Sequence, residues 1–212
     1  MKAIILISEA SLPLAKTLQR ELPDTLIYTK NECEGCISIT SCHRFIEEHF
    51  NDFDSIIFIG AMGICVRSIA GCIKNKYKDP AVVCVDSTGR FVISVLSGHV
   101  GGANELTRHI AAITGGEAVI TTQSDNAGLW ALDTLAGKYG WKITVPHAKM
   151  NRLVTLFVNR EPTALLLDIK DKGTEYLERT LPAHVKVFYH FEDIPQSEFK
   201  LIIAVTPYIY SA

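Results

Sequence analysis

The sequence predicts an α/β protein built on a three-layer mixed sheet, followed by a second, smaller α/β domain. Short apolar segments alternate along the chain with amphipathic segments of helical periodicity, which is typical of parallel α/β sheets. Two apolar segments, 81–85 and 91–96, are separated by only five residues. A parallel crossover needs about a dozen residues, so this pair predicts an antiparallel hairpin. The sheet is therefore expected to be Rossmann-like but mixed.

The first half of the chain opens as strand, helix and strand. Residues 3–8 are largely apolar, residues 12–22 form an amphipathic helix, and residues 25–28 form a short strand. Before the hairpin we also expect a helix over 42–50, a strand over 55–59 and a helix that begins at 60–63. This order builds parallel strand pairs from the N-terminus onward.

After the hairpin, Leu106, Ile110 and Ile113 recur at helical spacing, and residues 118–122 form another strand. The pattern breaks around Trp141, and Pro146 supports a boundary there. We therefore expect an N-terminal domain over residues 1–142 and a smaller domain over residues 143–212. The expected elements of the smaller domain are helices over 149–158 and 174–180 and strands over 164–168, 185–189 and 201–205.

The composition describes an ordinary globular protein. Of the 212 residues, 48% are hydrophobic and 21% are charged, and the formal net charge is −2. This charge argues against a general nucleic-acid binder, which needs a basic surplus. The N-terminal segment is too short for a signal peptide, and no apolar run approaches the roughly 20 residues of a membrane span. We expect a cytoplasmic protein whose partners are small molecules or proteins.

The run from Ser97 to Glu105 is the most informative segment, because it places hydroxyl, imidazole, amide and carboxylate groups around several glycines where a strand becomes a helix. Glycines let the backbone turn sharply and approach a ligand. The N–H groups at a helix start also favour an anion or a developing oxyanion. This junction is therefore the first candidate for a functional site.

Ligands of open α/β sheets bind outside the carboxyl ends of the strands. Three loops meet that description in the predicted fold: 60–63, 97–104 and 121–125. The lysines of segment 74–78 and Arg67 would make a shared pocket cationic, which suits a ligand with several carboxylates or phosphates. The predicted binding residues are Gly60, Met62, Gly63, Arg67, Ser97, Gly98, Gly101, Gly102, Asn104, Thr121, Thr122 and Asp125.

Two predicted catalytic residues lie in the same run. His99 could act as general base or acid near neutral pH, with Glu105 or Asp125 orienting its ring; alternatively, His99 only braces the turn. Ser97 could be a nucleophile, but it lacks a Gly-x-Ser-x-Gly elbow, so a helix-capping hydroxyl is favoured. The Asn104 amide binds ligand or braces the loop.

The sequence lacks the fingerprints of nucleotide binding. Neither Gly-x-Gly-x-x-Gly after the first strand nor a Gly-x-x-x-x-Gly-Lys-Ser/Thr loop occurs. Cys33, Cys36, Cys42 and His43 raise the alternative of a zinc site, and the Cys-x-x-Cys spacing that of redox activity. We favour a plain polar insert with incidental cysteines, no metal site, and buried thiols elsewhere rather than a disulfide framework.

Four motifs together resemble the CbiG family, the cobalt-precorrin 5A hydrolases of anaerobic cobalamin biosynthesis. They are Gly60-Ala61-Met62-Gly63-Ile64-Cys65-Val66-Arg67, the hairpin 82–94, Leu96-Ser97-Gly98-His99-Val100-Gly101-Gly102-Ala103-Asn104-Glu105-Leu106, and Ile120-Thr121-Thr122-Gln123-Ser124-Asp125. The likeness covers the N-terminal and central regions of the family. The family's usual C-terminal domain has no counterpart in the sequence.

The resemblance implies hydrolysis of the ring A lactone of cobalt-precorrin 5A, with release of acetaldehyde and formation of cobalt-precorrin 5B. The substrate carries the cobalt, so no separate cofactor is expected. In this hypothesis His99 activates water, the N–H groups of Gly101 and Gly102 hold the oxyanion, and Arg67 with nearby lysines binds peripheral carboxylates. The alternative is a tetrapyrrole-binding module of a larger or fused cobalamin-pathway enzyme.

Overall fold

The computed structural model of the chain describes residues 1–208, apart from the side chains of residues 124, 126, 147 and 148. The last residues of the predicted smaller domain, 209–212, lie outside the described residues. The chain divides into two compact units, the first over Met1–Thr122 and the second beginning at Gln123. None of the helices described is long and apolar enough to cross a membrane.

The first unit is built on one seven-stranded sheet in the order β3-β2-β1-β4-β5-β6-β7. Its strands are β1 (Lys2–Leu6), β2 (Thr25–Thr29), β3 (Ile37–Ser38), β4 (Ser55–Ile59), β5 (Ala81–Val85), β6 (Phe91–Leu96) and β7 (Glu117–Val119). Its helices are α1 (Leu12–Glu21), α2 (Cys42–His49), α3 (Met62–Ile69) and α4 (Ala103–Thr114). The predicted strands and helices of this region are present, with ends shifted by a few residues.

Helices cover both faces of this sheet because its central strands are apolar on both faces. Ile4 and Ile57 belong to one core cluster together with residues of α1 and α4. Ile5 and Phe58, each one residue further along its strand, belong to the cluster that α2 and α3 cover. Successive side chains of a strand point to opposite faces, so an unbroken apolar run needs two helical layers. The predicted three-layer architecture is confirmed.

The hairpin between β5 and β6 is also confirmed. β5 pairs in parallel with β4 but antiparallel with β6, and Val85 lies opposite Val92. The Asp86 carboxylate closes the turn by accepting hydrogen bonds from the N–H groups of Thr88 and Phe91, both at 2.6 Å. Beyond the hairpin β6 pairs in parallel with β7, so the last two strands run opposite to the first five.

The second unit has a three-stranded parallel sheet in the order β10-β8-β9. Its strands are β8 (Thr163–Leu167), β9 (Val185–Phe188) and β10 (Leu201–Val205). Its helices are α5 (Gln123–Asn126), α6 (Leu132–Lys138), α7 (His147–Val158) and α8 (Lys172–Arg179). Asp171 caps α8 by accepting from the N–H groups of Gly173 and Thr174, at 2.8 and 2.9 Å.

The boundary between the units differs from the predicted one by twenty residues, because the segment after Thr122 belongs to the second core. Trp130 is only 4% exposed and stacks on Phe157 with ring centroids 5.6 Å apart. Its indole N–H donates to the Thr180 hydroxyl at 2.9 Å. Leu132 and Leu135 pack against the same cluster. The break in pattern near Trp141 is a loop inside the second unit.

Replacing Trp130 with alanine should destabilise the second unit by about 3–5 kcal/mol, because a fully packed indole and its hydrogen bond are both lost. Hydrogen exchange should then accelerate in β8 and α8 while β1 and β4 keep their protection. Tyr189→Ala removes an aromatic ring that is 58% exposed and serves as the control. Unchanged exchange in β8 after Trp130→Ala would mean that residues 123–142 are not part of this core.

Candidate functional site

The order of the strands in the first unit creates a crevice at the carboxyl ends of β1 and β4. From β1 the chain moves outward to β2 and β3, and it then returns to place β4 on the other side of β1. Such a reversal in strand order is where open α/β sheets bind ligands. We call the edge of the sheet at which the carboxyl ends of β1 to β5 lie the switch-point edge.

A tight turn brings the end of β4 against the end of β1 at this edge. Gly60 has a φ of 152°, and its N–H donates to the Val85 carbonyl at 2.8 Å. A Cβ atom built on Gly60 would lie 2.9 Å from the Cβ of Ile7. Only glycine therefore fits between the two strand ends. Met62 follows the turn as the first residue of α3, half-buried against the sheet.

Arg67 is exposed on α3, and its side chain extends toward the start of that helix, beside Gly63. Its guanidinium nitrogen is 3.3 Å from where a Cβ of Gly63 would stand. No carboxylate of the described residues forms an ion pair with Arg67. The predicted residues Gly60, Met62, Gly63 and Arg67 are thus together at the switch-point edge.

Several polar residues of the switch-point edge are not among the predicted site residues. Asn31 follows β2 and donates its side-chain amide to the Glu9 carboxylate, which follows β1. Ser11 donates to the Ser87 carbonyl at 3.1 Å, tying the start of α1 to the hairpin turn. The carboxyl ends of neighbouring parallel strands lie at one edge of a sheet. Since β1 and β2 are both predicted from the sequence, this rule predicts that the polar residues after them lie close together.

The predicted shared pocket is wrong, because the hairpin reverses the sheet direction. Since β6 is antiparallel to β5, Ser97 lies beside the amino end of β5, not its carboxyl end. Thr121 and Thr122 follow β7, which is parallel to β6, and share that side. The length of a five-residue strand, about 15 Å, separates this edge from Gly60 and Arg67. We call it the glycine-loop edge.

Ser97 is part of the structural frame of the glycine-loop edge. It is 9% exposed and adopts a left-handed φ of 57°. Its hydroxyl donates to the Asp79 carbonyl at 3.0 Å, which ties the end of β6 to the start of β5. The N-cap of α4 is Gly102, without a side-chain capping bond. The predicted capping role of Ser97 is therefore wrong. Its hydroxyl proton is donated to a main-chain carbonyl, whereas a nucleophilic serine must donate it to a base.

The predicted oxyanion donors are already used inside the loop. The N–H of Gly101 donates to the Ser97 carbonyl and that of Gly102 to the His99 carbonyl, both at 3.1 Å. A Cβ on Gly101 would lie 2.5 Å from the Ser97 Cβ. Gly101 is therefore needed for close packing of the turn, and Gly102 for its left-handed φ of 82°. The hypothesis that their N–H groups hold an oxyanion does not fit this arrangement.

Asn104 braces the same turn. It is 2% exposed, its Oδ1 accepts from the Ser94 hydroxyl at 2.7 Å, and its Nδ2 donates to the Thr122 hydroxyl at 2.9 Å. A Cβ on Gly98 would lie 2.8 Å from its Oδ1. Of the two roles considered for Asn104, the structure supports bracing of the loop.

His99 and Glu105 are the titratable groups of the loop. The His99 side chain is part-exposed, and Glu105 is exposed in the first turn of α4. Asp125, the other carboxylate predicted to orient His99, lies in α5 of the second unit. Thr121 is exposed at the end of the first unit. Both His99 and Glu105 are therefore accessible to solvent at the glycine-loop edge.

The lysine segment 74–78 lies at the glycine-loop edge. It is therefore on the same edge as Ser97, as predicted. It directly precedes β5, and the buried Asp79 carboxylate accepts hydrogen bonds from the N–H groups of Lys74 and Asn75, at 2.9 and 2.7 Å. Lys76 lies over the Tyr77 ring, 5.0 Å from its centroid. The cations are thus divided between the edges, with the lysines on one and Arg67 on the other.

The cysteines follow two patterns. Cys33 and Cys36 form a disulfide, so the prediction of incidental cysteines is wrong for this pair. Cys42, Cys65 and Cys84 are buried thiols, as expected. A hydrogen bond with Cys84 and burial raise the pKa of Cys65 well above its ordinary value. No group of three metal-ligating side chains exists among the described residues.

One cavity of about 560 Å³ opens between α2, α3 and the end of β2. It is lined by Lys30, Ser41, Cys42, His43, Ile64, Arg67 and Ser68. Lys30 directly follows β2, so the cavity adjoins the switch-point edge. The cavity therefore extends the crevice at the strand ends toward the face covered by α2 and α3.

Gly101→Ala should destabilise the first unit by about 1–3 kcal/mol, because the new methyl group overlaps Ser97 and the turn cannot shift without breaking its bonds. Gly71→Ala is the matched control, since nothing lies within 4 Å of its added Cβ. Thermal unfolding and hydrogen exchange of α4 measure both effects. Equal stability of the two variants would contradict the packing role assigned to Gly101.

Two family profiles match the chain in sequence order. The profile described as cobalamin synthesis G N-terminal matches residues 44–125, and the cobalamin biosynthesis central region matches residues 130–212. The gap between the two matched regions, 126–129, lies a few residues after the start of the second unit. The boundary between the two matched regions thus lies close to the boundary between the two units of the fold.

Among curated proteins, the cobalt-precorrin-5A hydrolase of Salmonella typhimurium is 36% identical over 168 residues, which are 78% of this chain and 48% of that protein. The enzyme of the same name from Priestia megaterium is 31% identical over 212 residues, 96% of this chain and 56% of that protein. The chain therefore spans about half the length of these relatives.

A solved structure supports the fold. The crystal structure of a cobalamin biosynthesis protein G homolog from Sulfolobus solfataricus aligns with a TM-score of 0.50 and 20% identity. The alignment covers 96% of this chain and 59% of that one. Taken with the two profiles and the curated relatives, the chain belongs to the CbiG family, of which it carries the N-terminal and central regions.

Proposed function

We propose that this chain supplies the N-terminal and central regions of a cobalt-precorrin 5A hydrolase. The reaction opens the ring A lactone with water and releases acetaldehyde, giving cobalt-precorrin 5B. The observation that carries the proposal is the match to both family regions, in order, together with curated relatives of that name. The cobalt ion belongs to the substrate, and the proposal includes no further cofactor.

The residues of the glycine-loop edge suit the hydrolytic step best. Attack on a lactone carbonyl needs a base to take a proton from water, and an imidazole does this near neutral pH. We assign this role to His99, with Glu105 as a nearby carboxylate on α4. The lysines of segment 74–78 supply positive charge for the acidic side chains of the substrate. Oxyanion stabilisation is assigned to groups other than the N–H groups of Gly101 and Gly102.

A binding module without activity is the second candidate function. One observation favours it: the N–H groups that open α4 are hydrogen-bonded within the loop, so this chain lacks the oxyanion donors expected from sequence. In this case the chain holds the polycarboxylate tetrapyrrole, and a region present in the longer relatives performs the hydrolysis.

We propose a cytoplasmic location for the enzyme. Cys42, Cys65, Cys72 and Cys84 are free thiols, which is typical of a reducing compartment. The Cys33–Cys36 disulfide is an exception to this pattern.

Incubation of the purified chain with cobalt-precorrin 5A separates the two candidate functions. Acetaldehyde release with turnover supports the hydrolase, and it is measured by coupling to alcohol dehydrogenase. Saturable binding of the tetrapyrrole without acetaldehyde supports the binding module. The absence of both would contradict the proposal for this chain.

His99→Gln should lower kcat about 100-fold or more, since general-base catalysis contributes 10²–10⁴-fold. The amide keeps a similar size but cannot take a proton from water. His109→Gln is the matched control, because His109 is an exposed histidine within α4 and lies outside the loop. If His99→Gln retains the kcat of the unaltered protein, His99 is not the base and only shapes the turn.

A further inference from the structure

The cavity between α2 and α3 has a strongly one-sided charge. Lys30 and Arg67 contribute two permanent positive charges, and none of the seven lining residues carries a carboxylate. Within the described part of the chain, neither cation has an ion-pair partner. Both side chains are exposed, so an anion that enters the cavity reaches them without displacing a carboxylate of the described residues.

The start of α2 adds to this positive field. The cavity is lined by Ser41, the N-cap of α2, and by the first two helical residues, Cys42 and His43. Ser41 binds the N–H of Arg44 with its hydroxyl, so the helix start is fixed in place. The positive end of the helix dipole therefore faces the same space as the two free cations. His43 is weakly paired with Glu47, at 3.6 Å.

The other walls are apolar or weakly polar. Ile64 contributes an alkyl surface, and burial raises the pKa of the Cys42 thiol, which therefore remains neutral. The Cys42 sulfur lies 3.7 Å from the Ser68 hydroxyl, and that hydroxyl donates to the Ile64 carbonyl. Such walls favour a ligand with a hydrocarbon stem over a bare inorganic ion.

We propose that this cavity binds an organic carboxylate, with its carboxylate groups between Lys30 and Arg67 at the start of α2 and its alkyl stem against Ile64. The volume of about 560 Å³ accommodates more than one carboxylate group. The site lies at the switch-point edge, whereas His99 lies at the opposite edge of the sheet. It is therefore separate from the hydrolytic step assigned to the glycine-loop edge.

Two sources share this ligand chemistry: an acidic side chain of a tetrapyrrole and a free tricarboxylate. Isothermal titration of the whole chain with tricarballylate tests the site directly. Arg67→Ala and Lys30→Ala should each weaken binding about tenfold or more, because each removes a charge-assisted contact. Arg152→Ala and Lys149→Ala are matched controls, since these exposed cations on α7 belong to the second unit. The control variants should bind as the unaltered chain does.

Competition with cobalt-precorrin 5A then identifies the source. Displacement of tricarballylate indicates a tetrapyrrole side chain, and its retention indicates a separate tricarboxylate site. The proposal is overturned if Arg67→Ala and Lys30→Ala bind unchanged, if the α7 controls lose as much affinity, or if the neutral triamide or inorganic phosphate binds as tightly. None of these readings depends on acetaldehyde release, so failure of the hydrolase proposal is measured separately.

Discussion

Among the described strands, one pair is antiparallel, β5 with β6, and it decides which parts of the first unit lie at the same edge of the sheet. Asp86 holds the reversal by accepting two main-chain hydrogen bonds across the turn. Burial raises the pKa of this carboxyl, but the hydrogen bonds from Thr88 and Phe91 outweigh burial and leave it below its ordinary value. Asp86 is therefore ionised as an acceptor near neutral pH. Every loop after the hairpin is consequently placed by strands that run the other way.

The glycine-rich run shows why a motif at a strand-to-helix junction is ambiguous. A helix start with free N–H groups binds anions, whereas here the main-chain donors of the turn bond within the loop. Gly98 and Gly101 are required because Asn104 and Ser97 occupy the space that a side chain would need. The same residues would be expected for a ligand loop and for a tightly packed turn. Hydrogen-bond partners distinguish the two cases, and a single sequence does not contain them.

Local patterns made the elements of the fold predictable, while long-range contacts limited the prediction of the site. The apolar runs at 55–59 and 81–85 are strands, and the short link after 85 is a hairpin, because periodicity and loop length are local properties. The second-unit membership of Trp130 depends on Phe157 and Thr180, which are distant in sequence. The predicted shared pocket was wrong for a different reason. The antiparallel pairing, itself correctly predicted, places the carboxyl ends of β6 and β7 at the opposite edge of the sheet from the carboxyl end of β4.

A sheet with one reversal has carboxyl strand ends on both edges, and this explains the distribution of charge in the first unit. Five strands end at the switch-point edge, where Lys30 and Arg67 lie, and two end at the glycine-loop edge beside segment 74–78. The whole chain nevertheless has a formal net charge of −2. Lys30 and Arg67 thus lie at one edge of the sheet, and the lysines of segment 74–78 lie at the other. Two separate cationic surfaces on one sheet follow from the direction of a single hairpin, because the reversal places segment 74–78 beside the ends of β6 and β7 and leaves Arg67 at the opposite edge.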